Sequence, residues 1–274
     1  MPDLAVVAPF GFSFEPVRLL RAYAAAGITT AQFYRNEQNP PTLAQALGAA
    51  EAAGVRYDSI HGVFGFHLDP SSDDPAHVAH CLKVYESEGR LASELGGPMV
   101  VVHPSAWNPG MRVMPREEVE ATSKVRWPRC DEFMRRLAEV GERLGVTYLI
   151  ENQPFNCPLG HDCAEMARRV LAVQSPRVRM CLDTGHAHIT GDVIQSLREA
   201  APAIDYLHVH DNDGVQDDHR MPGDGTIDWR AFAGVLRETG LKAPRMLEVF
   251  YSEAKVEELV GTGLEQTLRA GLVP

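Results

Sequence analysis

Short apolar runs alternate with longer segments of helical periodicity along the whole chain. The first run, LAVVAPF at 4–10, precedes a helical segment that begins EPVRLL. The apolar runs are continuous rather than alternating, which is typical of strands buried on both faces of a parallel sheet. Eight such strand–helix units follow one another, with strands predicted at 4–10, 29–34, 55–62, 99–105, 146–153, 178–186, 204–212 and 244–253.

Five of the helical segments end in a glycine directly before the next strand, as helix C-termini often do. These glycines are Gly27, Gly54, Gly96, Gly145 and Gly240. Eight strand–helix units favour an α/β fold, a (β/α)8 TIM barrel that forms one domain over residues 1–274. A doubly wound dinucleotide-binding sheet is disfavoured, because no GxGxxG motif follows the first strand.

Composition narrows the class of protein. The net charge of −11 does not favour binding to nucleic acid or to an anionic membrane. The five cysteines are scattered, which suits a reducing compartment, and the N-terminal MPDLAVVAPFGF lacks the basic segment of a signal peptide. No apolar run approaches the roughly 18 residues that span a bilayer. The sequence therefore predicts a cytoplasmic protein, without membrane segments, whose partner is a small-molecule substrate; a homo-oligomer is left open.

Polar side chains stand where six successive predicted strands end. Because the C-terminal ends of parallel strands meet at one mouth of a barrel, these side chains are expected to converge there. Residues two apart on a strand share a face, which places Glu151 on the same side as Leu149 and Gln153. The six strand-end residues are His61, His103, Glu151, Asp183, His210 and Glu248.

Part of this set has the donor types of a divalent-metal site. Carboxylates that converge without a cation would repel each other, so a bound Mn²⁺, Co²⁺, Mg²⁺ or Zn²⁺ is expected. The predicted ligands are Glu151, Asp183, His210 and Glu248. His186 is expected to reach the same cavity from the turn after the sixth strand. His208 is expected one layer deeper than His210, as a supporting or packing residue.

The motifs in the second half of the chain resemble those of the xylose-isomerase-like TIM barrel superfamily. This group includes sugar isomerases and epimerases, inosose-type enzymes and endonuclease IV. The matching segments are IEN, CLDTGHA, LHVHDNDG, DDHRMPGDGTIDW and LEVF. The resemblance to the epimerases implies one divalent metal on the four predicted ligands and a substrate contact from His186. It also implies that His219 or Arg220 contacts the sugar.

Endonuclease IV resembles the chain in a different way. Its larger ligand set, which holds several zinc ions, has a counterpart of every type in this sequence. Beyond the four ligands above, the additional ligands in this interpretation are His61, His103, His186, Asp217 and His219. The resemblance therefore leaves open a multinuclear zinc phosphodiesterase.

The first hypothesis for function is a metal-dependent isomerase or epimerase that converts a small sugar or polyol-derived keto compound through an enediolate. Glu151 and Glu248 would be the metal-bound acid–base pair, with His186 beside the developing oxyanion. The expected substrate contacts are His61, His103, Trp107, His219 and Arg220. For Trp107, stacking on a ligand and ordinary loop packing are equal alternatives. A metal-dependent lyase or dehydratase on the same scaffold is a further hypothesis beside the phosphodiesterase.

Overall fold

A closed barrel of parallel strands forms the centre of the protein in the computed structural model, which describes residues 4–106, 115–155 and 157–261. The strands pair in chain order and β1 closes on β8, so the (β/α)8 TIM barrel predicted from the sequence is confirmed. That residues 1–274 form a single domain stays a prediction. The strands are β1 (Leu4–Phe10), β2 (Thr30–Arg35), β3 (Arg56–His61), β4 (Met99–Val102), β5 (Thr147–Glu151), β6 (Val178–Asp183), β7 (Ile204–Val209) and β8 (Arg245–Leu247).

Helices surround the barrel. The five glycines predicted to end helices all have positive φ, from 67 to 86°. The segment TGHAHIT, expected as a turn, instead forms a short helix, α6, because the Asp183 carboxylate accepts a hydrogen bond from His186 N and caps it. No helix among the described residues is long and apolar enough to cross a bilayer. The helices of the described residues are α1 (Pro16–Ala25), α2 (Leu43–Ala53), α3 (Pro75–Leu95), α4 (Arg116–Leu144), α5 (Cys163–Ala172), α6 (Thr184–Thr190), α7 (Val193–Ala200), α8 (Trp229–Thr239) and α9 (Glu253–Gly261).

An apolar layer fills the barrel interior below its C-terminal mouth. Its buried members are Ala5, Val7, Val101, Leu149, Cys181, Tyr206 and Met246. Five of them, Val101, Leu149, Cys181, Tyr206 and Met246, precede by two positions a polar residue at or next to the end of the same strand. Because such residues share a face, the barrel directs apolar side chains into its interior and the following polar side chains into its mouth.

A buried carboxyl group lies towards the N-terminal ends of the strands. Asp58 Oδ1 accepts hydrogen bonds from Ser59 Oγ at 2.7 Å and from Tyr206 OH at 2.9 Å. Asp58 Oδ2 is buried and has no hydrogen-bond partner among the described residues. Burial raises the pKa of Asp58 to about 6 from its ordinary 3.8, although the two hydrogen bonds oppose the shift.

We expect Asp58→Asn to stabilise the fold at alkaline pH, because the amide keeps an acceptor for Tyr206 OH but buries no charge. The folded state binds the Asp58 proton more tightly than the unfolded state, so this group lowers the wild-type free energy of unfolding as pH rises from about 4 to about 6. At about pH 8 the variant should be more stable by about 1–3 kcal/mol, with little difference at about pH 4. Urea denaturation of both proteins at the two pH values measures this. Equal stabilities at the higher pH would contradict the prediction.

Candidate metal centre and active site

The six strand-end residues lie together, and buried, at the C-terminal mouth of the barrel. Glu151 Oε2 lies 2.9 Å from His103 Nε2 and 3.7 Å from His61 Nε2. The Asp183 carboxylate lies 3.0 Å from His210 Nε2. The convergence predicted from the pattern of strand ends is therefore present in the structure.

His208 occupies the centre of the carboxylates. Its Nδ1 atom lies 2.6 Å from Glu151 Oε1, 2.9 Å from Glu248 Oε2 and 4.0 Å from Asp183 Oδ2. The sequence placed this ring one layer deeper, as a supporting or packing residue, but a glutamate side chain is long enough to reach back to it from the strand end. Burial would lower the pKa of His208, yet Cys181, Glu248 and Glu151 raise it well above its ordinary value.

Within the described part of the chain, histidines rather than lysine or arginine provide the positive charge that balances the negative charge of these carboxylates. Burial would raise the pKa of Glu151, but the rings of His208 and His103 hold it well below its ordinary value. The same opposition acts on Glu248, where His208 and His219 lower the pKa against the effect of burial. Glu151 and Glu248 are therefore ionised and available as ligands.

A second group of contacts extends the site towards β6 and the loop after β7. Asp217 Oδ2 lies 3.2 Å from His186 Nε2 and 3.2 Å from His219 Nε2. Asp217 Oδ1 lies 3.6 Å from His210 Nε2, and the His219 ring stacks on that of His210 with centroids 4.1 Å apart. Burial opposes charge on both outer rings, but Asp183 and Asp217 raise the pKa of His186, and Asp217 raises that of His219 to about 9. All the metal ligands predicted for the multinuclear alternative thus lie in one network.

Asp211 organises the loop between β7 and α8 that carries Asp217 and His219. Its buried carboxylate accepts hydrogen bonds from Asn212 N, Gly223 N and Ile227 N of that loop and from Trp229 Nε1 at the start of α8. A Cβ on Gly225 would lie 2.4 Å from Asp211 Oδ1, so a side chain at that position would displace the loop. Asp211 was not among the predicted site residues, although an acid directly after the strand-end His210 was an available signal.

Two amides directly after Glu151 support the carboxylates at the ends of β5 and β6, and their roles were also missed. Asn152 Oδ1 accepts a hydrogen bond from Asp183 N at 2.7 Å, and its Nδ2 donates to Asp183 O at 3.0 Å. The backbone oxygen of Asn152 lies 2.8 Å from His186 Nδ1, which leaves Nε2 of that ring for the mouth. Gln153 Nε2 donates to Glu151 Oε2 at 3.3 Å. The available signal was a pair of polar residues where the strand ends.

Aromatic rings form one wall of the mouth. The Tyr34 ring lies 4.9 Å from that of His61 and 5.7 Å from that of Phe250. Phe64 lies 4.5 Å from the His103 ring. This wall limits the access of water to the histidines beside it.

Trp107 and Arg220 were also predicted to contact the substrate. Trp107 lies outside the described residues. The Arg220 guanidinium forms ion pairs with Asp213 at 2.8 Å and Asp218 at 2.7 Å, so its charge is balanced within its own loop. Of the two alternatives for a sugar contact, His219 is the one joined to the carboxylate network.

The donor set fits a divalent cation. Glu248 Oε2 is buried without a hydrogen-bond partner among the described residues, because the His208 Nδ1 proton is directed to Glu151 instead. An oxygen of this kind, close to other carboxylates, is satisfied by a cation, and carboxylate with imidazole suits Mn²⁺, Co²⁺, Mg²⁺ or Zn²⁺. Sets of three ligand atoms within 4.8 Å of one another include His61–His103–Glu151, Asp183–His186–His210 and His210–His219–Glu248.

Solved structures of sugar epimerases have the same fold. The D-allulose 3-epimerase of Methylomonas sp. has a TM-score of 0.79 at 19% identity, over 98% of each chain. A D-psicose 3-epimerase has a TM-score of 0.77 at 19% identity, over 100% of each chain. At these identities the likeness shows the fold alone.

Curated relatives share more of the sequence. The L-ribulose 3-epimerase of Mesorhizobium japonicum is 29% identical over 216 residues, which are 78% of this chain and 65% of the relative. The inosose isomerase of Bacillus velezensis is 27% identical over 168 residues, 56% of this chain and 55% of the relative. The chain spans about half to two thirds of the length of these relatives. A sequence model of the family described as xylose isomerase-like TIM barrel matches residues 20–270, and the chain belongs to this family.

Proposed function

We propose that this chain is a divalent-metal-dependent epimerase or isomerase of a small keto sugar or a related polyol-derived carbonyl compound. The observation that carries the proposal is that Glu151 and Glu248, from the ends of β5 and β8, face one point, His208 Nδ1, at 2.6 and 2.9 Å. Two carboxylates that approach each other from different sides of the mouth can act on opposite faces of a substrate carbon bound above them, towards the opening. Relatives named as sugar 3-epimerases and isomerases support this choice.

The side chains of the mouth have distinct parts in this reaction. A divalent cation, held by Glu151, Asp183, His210 and Glu248, would polarise a substrate carbonyl and acidify the neighbouring C–H bond. One glutamate removes the proton from that carbon. The other returns a proton to the opposite face, which gives the epimer, or to the neighbouring carbon, which gives the isomer. His186 presents Nε2 to the oxygen on which negative charge develops.

The wall of Tyr34, Phe64 and Phe250 has a part in the same chemistry. Aromatic faces pack against the C–H groups of a polyhydroxy compound and exclude water from the reacting carbon. Exclusion of water protects the deprotonated substrate and strengthens the electrostatic interactions of the carboxylates. His219, which stacks on His210 and lies 5.1 Å from the Phe250 ring, is placed to contact a substrate hydroxyl between the wall and the ligands.

The test is solvent exchange at the carbon next to the carbonyl. The protein, loaded with Mn²⁺, is incubated in D₂O with L-ribulose and D-psicose, the sugars for which two similar proteins are named. We expect proton NMR to show deuterium entering that carbon, together with a second sugar. Formation of an epimeric keto sugar would identify an epimerase, and formation of an aldose would identify an isomerase. Failure of a panel of keto sugars to exchange, with metal bound, would contradict the proposal.

A second candidate function is a multinuclear zinc phosphodiesterase. It is favoured by the additional three-residue ligand sets, in particular His61–His103–Glu151, which a mononuclear epimerase does not need. Several zinc ions in such sets would clamp a phosphate and activate a hydroxide. The net charge of −11 argues against a nucleic-acid substrate. Nicking of abasic-site DNA by the zinc-loaded protein would place this function first.

A further inference from the structure

We infer that Gln153 is a positioning residue for Glu151 and that the thiol of Cys157 fixes the direction of the Gln153 amide. The inference rests on the proposed function, since it concerns the orientation of one of the two glutamates. Gln153 follows Glu151 by two positions and lies on the same side of the strand end. Cys157 returns to this side chain from the loop that follows.

The contacts form a chain of three side chains. Cys157 Sγ donates to Gln153 Oε1 at 3.3 Å, and Gln153 Nε2 donates to Glu151 Oε2 at 3.3 Å. All three residues are buried, with exposures of 0% for Cys157, 0% for Gln153 and 1% for Glu151. Water therefore does not compete for these hydrogen bonds.

The Glu151 carboxylate and the Cys157 thiol, which contact the two ends of the Gln153 amide, together select one orientation of that amide. An ionised carboxylate accepts hydrogen bonds and cannot donate, whereas a thiol is a weak donor and a poor acceptor. Burial raises the pKa of Cys157, which keeps the thiol protonated. A flipped amide would place its oxygen against Glu151 Oε2 and its nitrogen against sulfur, so both contacts would be lost.

The backbone holds Gln153 and Cys157 in this relation. Gln153 N donates to Gly160 O at 3.0 Å, which closes the loop on the residue that carries the amide. A Cβ on Gly160 would lie 3.2 Å from Gln153 Cβ and Cγ, so the glycine lets the loop pack directly on this side chain. His161 Nε2 lies 2.6 Å from Cys157 O and fixes the other end.

Gln153 differs in kind from the other groups that donate to Glu151. The other side chains directed at its oxygens among the described residues are imidazoles, those of His103 and His208 and, at 3.7 Å, that of His61. An imidazole can give up its proton or become a metal ligand, whereas an amide keeps its N–H in every state of the site. Gln153 is therefore suited to hold Oε2 while the partners of Glu151 change.

Four variants test the inference. Gln153→Leu removes the amide at similar volume, and Cys157→Ala removes the thiol that orients it. Cys157→Ser keeps a hydroxyl donor and should restore the wild-type behaviour, which a loss of packing would not. Cys130→Ala is the matched control, because it truncates another fully buried thiol, on α4. Urea denaturation identifies any variant that fails to fold.

Two readouts apply to these variants. We expect Gln153→Leu to weaken Mn²⁺ binding, followed by electron paramagnetic resonance, by about 10–100-fold. Cys157→Ala should weaken it by about 3–10-fold. Cys157→Ser and Cys130→Ala should match the wild type. Cys157→Ala should add nothing in the Gln153→Leu background, because its effect passes through the amide. The inference would be overturned if the two substitutions together weakened Mn²⁺ binding by the product of their separate effects. It would also be overturned if Cys157→Ala bound Mn²⁺ as tightly as the wild type.

The second readout depends on neither metal nor substrate. In protein labelled with ¹⁵N-glutamine, the side-chain amide signals of Gln153, identified by their loss in Gln153→Leu, should exchange slowly with solvent. They should shift and exchange faster in Cys157→Ala but not in Cys157→Ser. If these signals behave so in a protein that exchanges no sugar proton, the proposed function fails while the orientation of the amide stands. If Cys157→Ala changes neither the shift nor the exchange of the Gln153 amide signals, the inference is overturned, even if the protein is an active epimerase.

Discussion

Glu151→Gln is expected to lower exchange of the substrate proton with solvent deuterium by about 10²–10⁴-fold, the contribution of a positioned general base. The amide has nearly the shape of the carboxylate but cannot accept the proton. It also conflicts with its surroundings, because His208, His103 and Gln153 all direct donors towards the Glu151 oxygens. The variant therefore removes the base and places an N–H group where an acceptor is required.

Metal content separates two causes of this loss. If Glu151 acts only as a ligand, the exchange of Glu151→Gln should recover when Mn²⁺ is raised to saturation. If it is also the base, exchange should remain low in a variant that holds a full complement of metal. The rate is followed by proton NMR in D₂O, with bound Mn²⁺ measured on the same sample. Exchange equal to that of the wild type would exclude Glu151 as a base.

The barrel fold and the convergence of the strand ends could be predicted because both follow from the periodic pattern of apolar and polar residues. In a parallel strand, Leu149 and Glu151 must share a face, and barrel closure brings every strand end to one mouth. The same logic applied to Met246 and Glu248. None of this required knowledge of side-chain conformation, which is why the positions of Glu151 and Glu248 could be predicted from the sequence.

Other parts of the site depend on three-dimensional detail that periodicity does not contain. His208 was assigned to the right face, but its contact with both glutamates depends on how far their flexible side chains bend back. The place of Asp217 depends on a loop whose path is set by hydrogen bonds to Asp211. The orientation of the Gln153 amide depends on a thiol that returns through a loop. The partners in these contacts do not follow from the repeating pattern of strands and helices, so they could not be predicted from it.

Removal of the metal is the second change with a large expected effect. Chelation should abolish exchange of the substrate proton, and added Mn²⁺ or Co²⁺ should restore it, because in the proposed reaction a cation polarises the carbonyl, which the glutamates alone cannot do. Metal should also stabilise the folded state, by about 2.7 kcal/mol at a free concentration one hundred times its Kd. Denaturation with and without Mn²⁺ measures this without a substrate. A chelated protein that is fully active would exclude a metal-dependent reaction.

The number of ions then decides between the two candidate functions. The set Glu151–Asp183–His210–Glu248 predicts one ion per chain, and elemental analysis of the protein should find about one after removal of loosely bound metal. Occupation of the other sets as well would give several zinc ions and favour the phosphodiesterase. His61→Ala separates the cases further, because its ring lies 3.7 Å from Glu151 Oε2 but outside the four-residue set. In an epimerase this variant should keep its metal, whereas in a multinuclear site it should lose an ion.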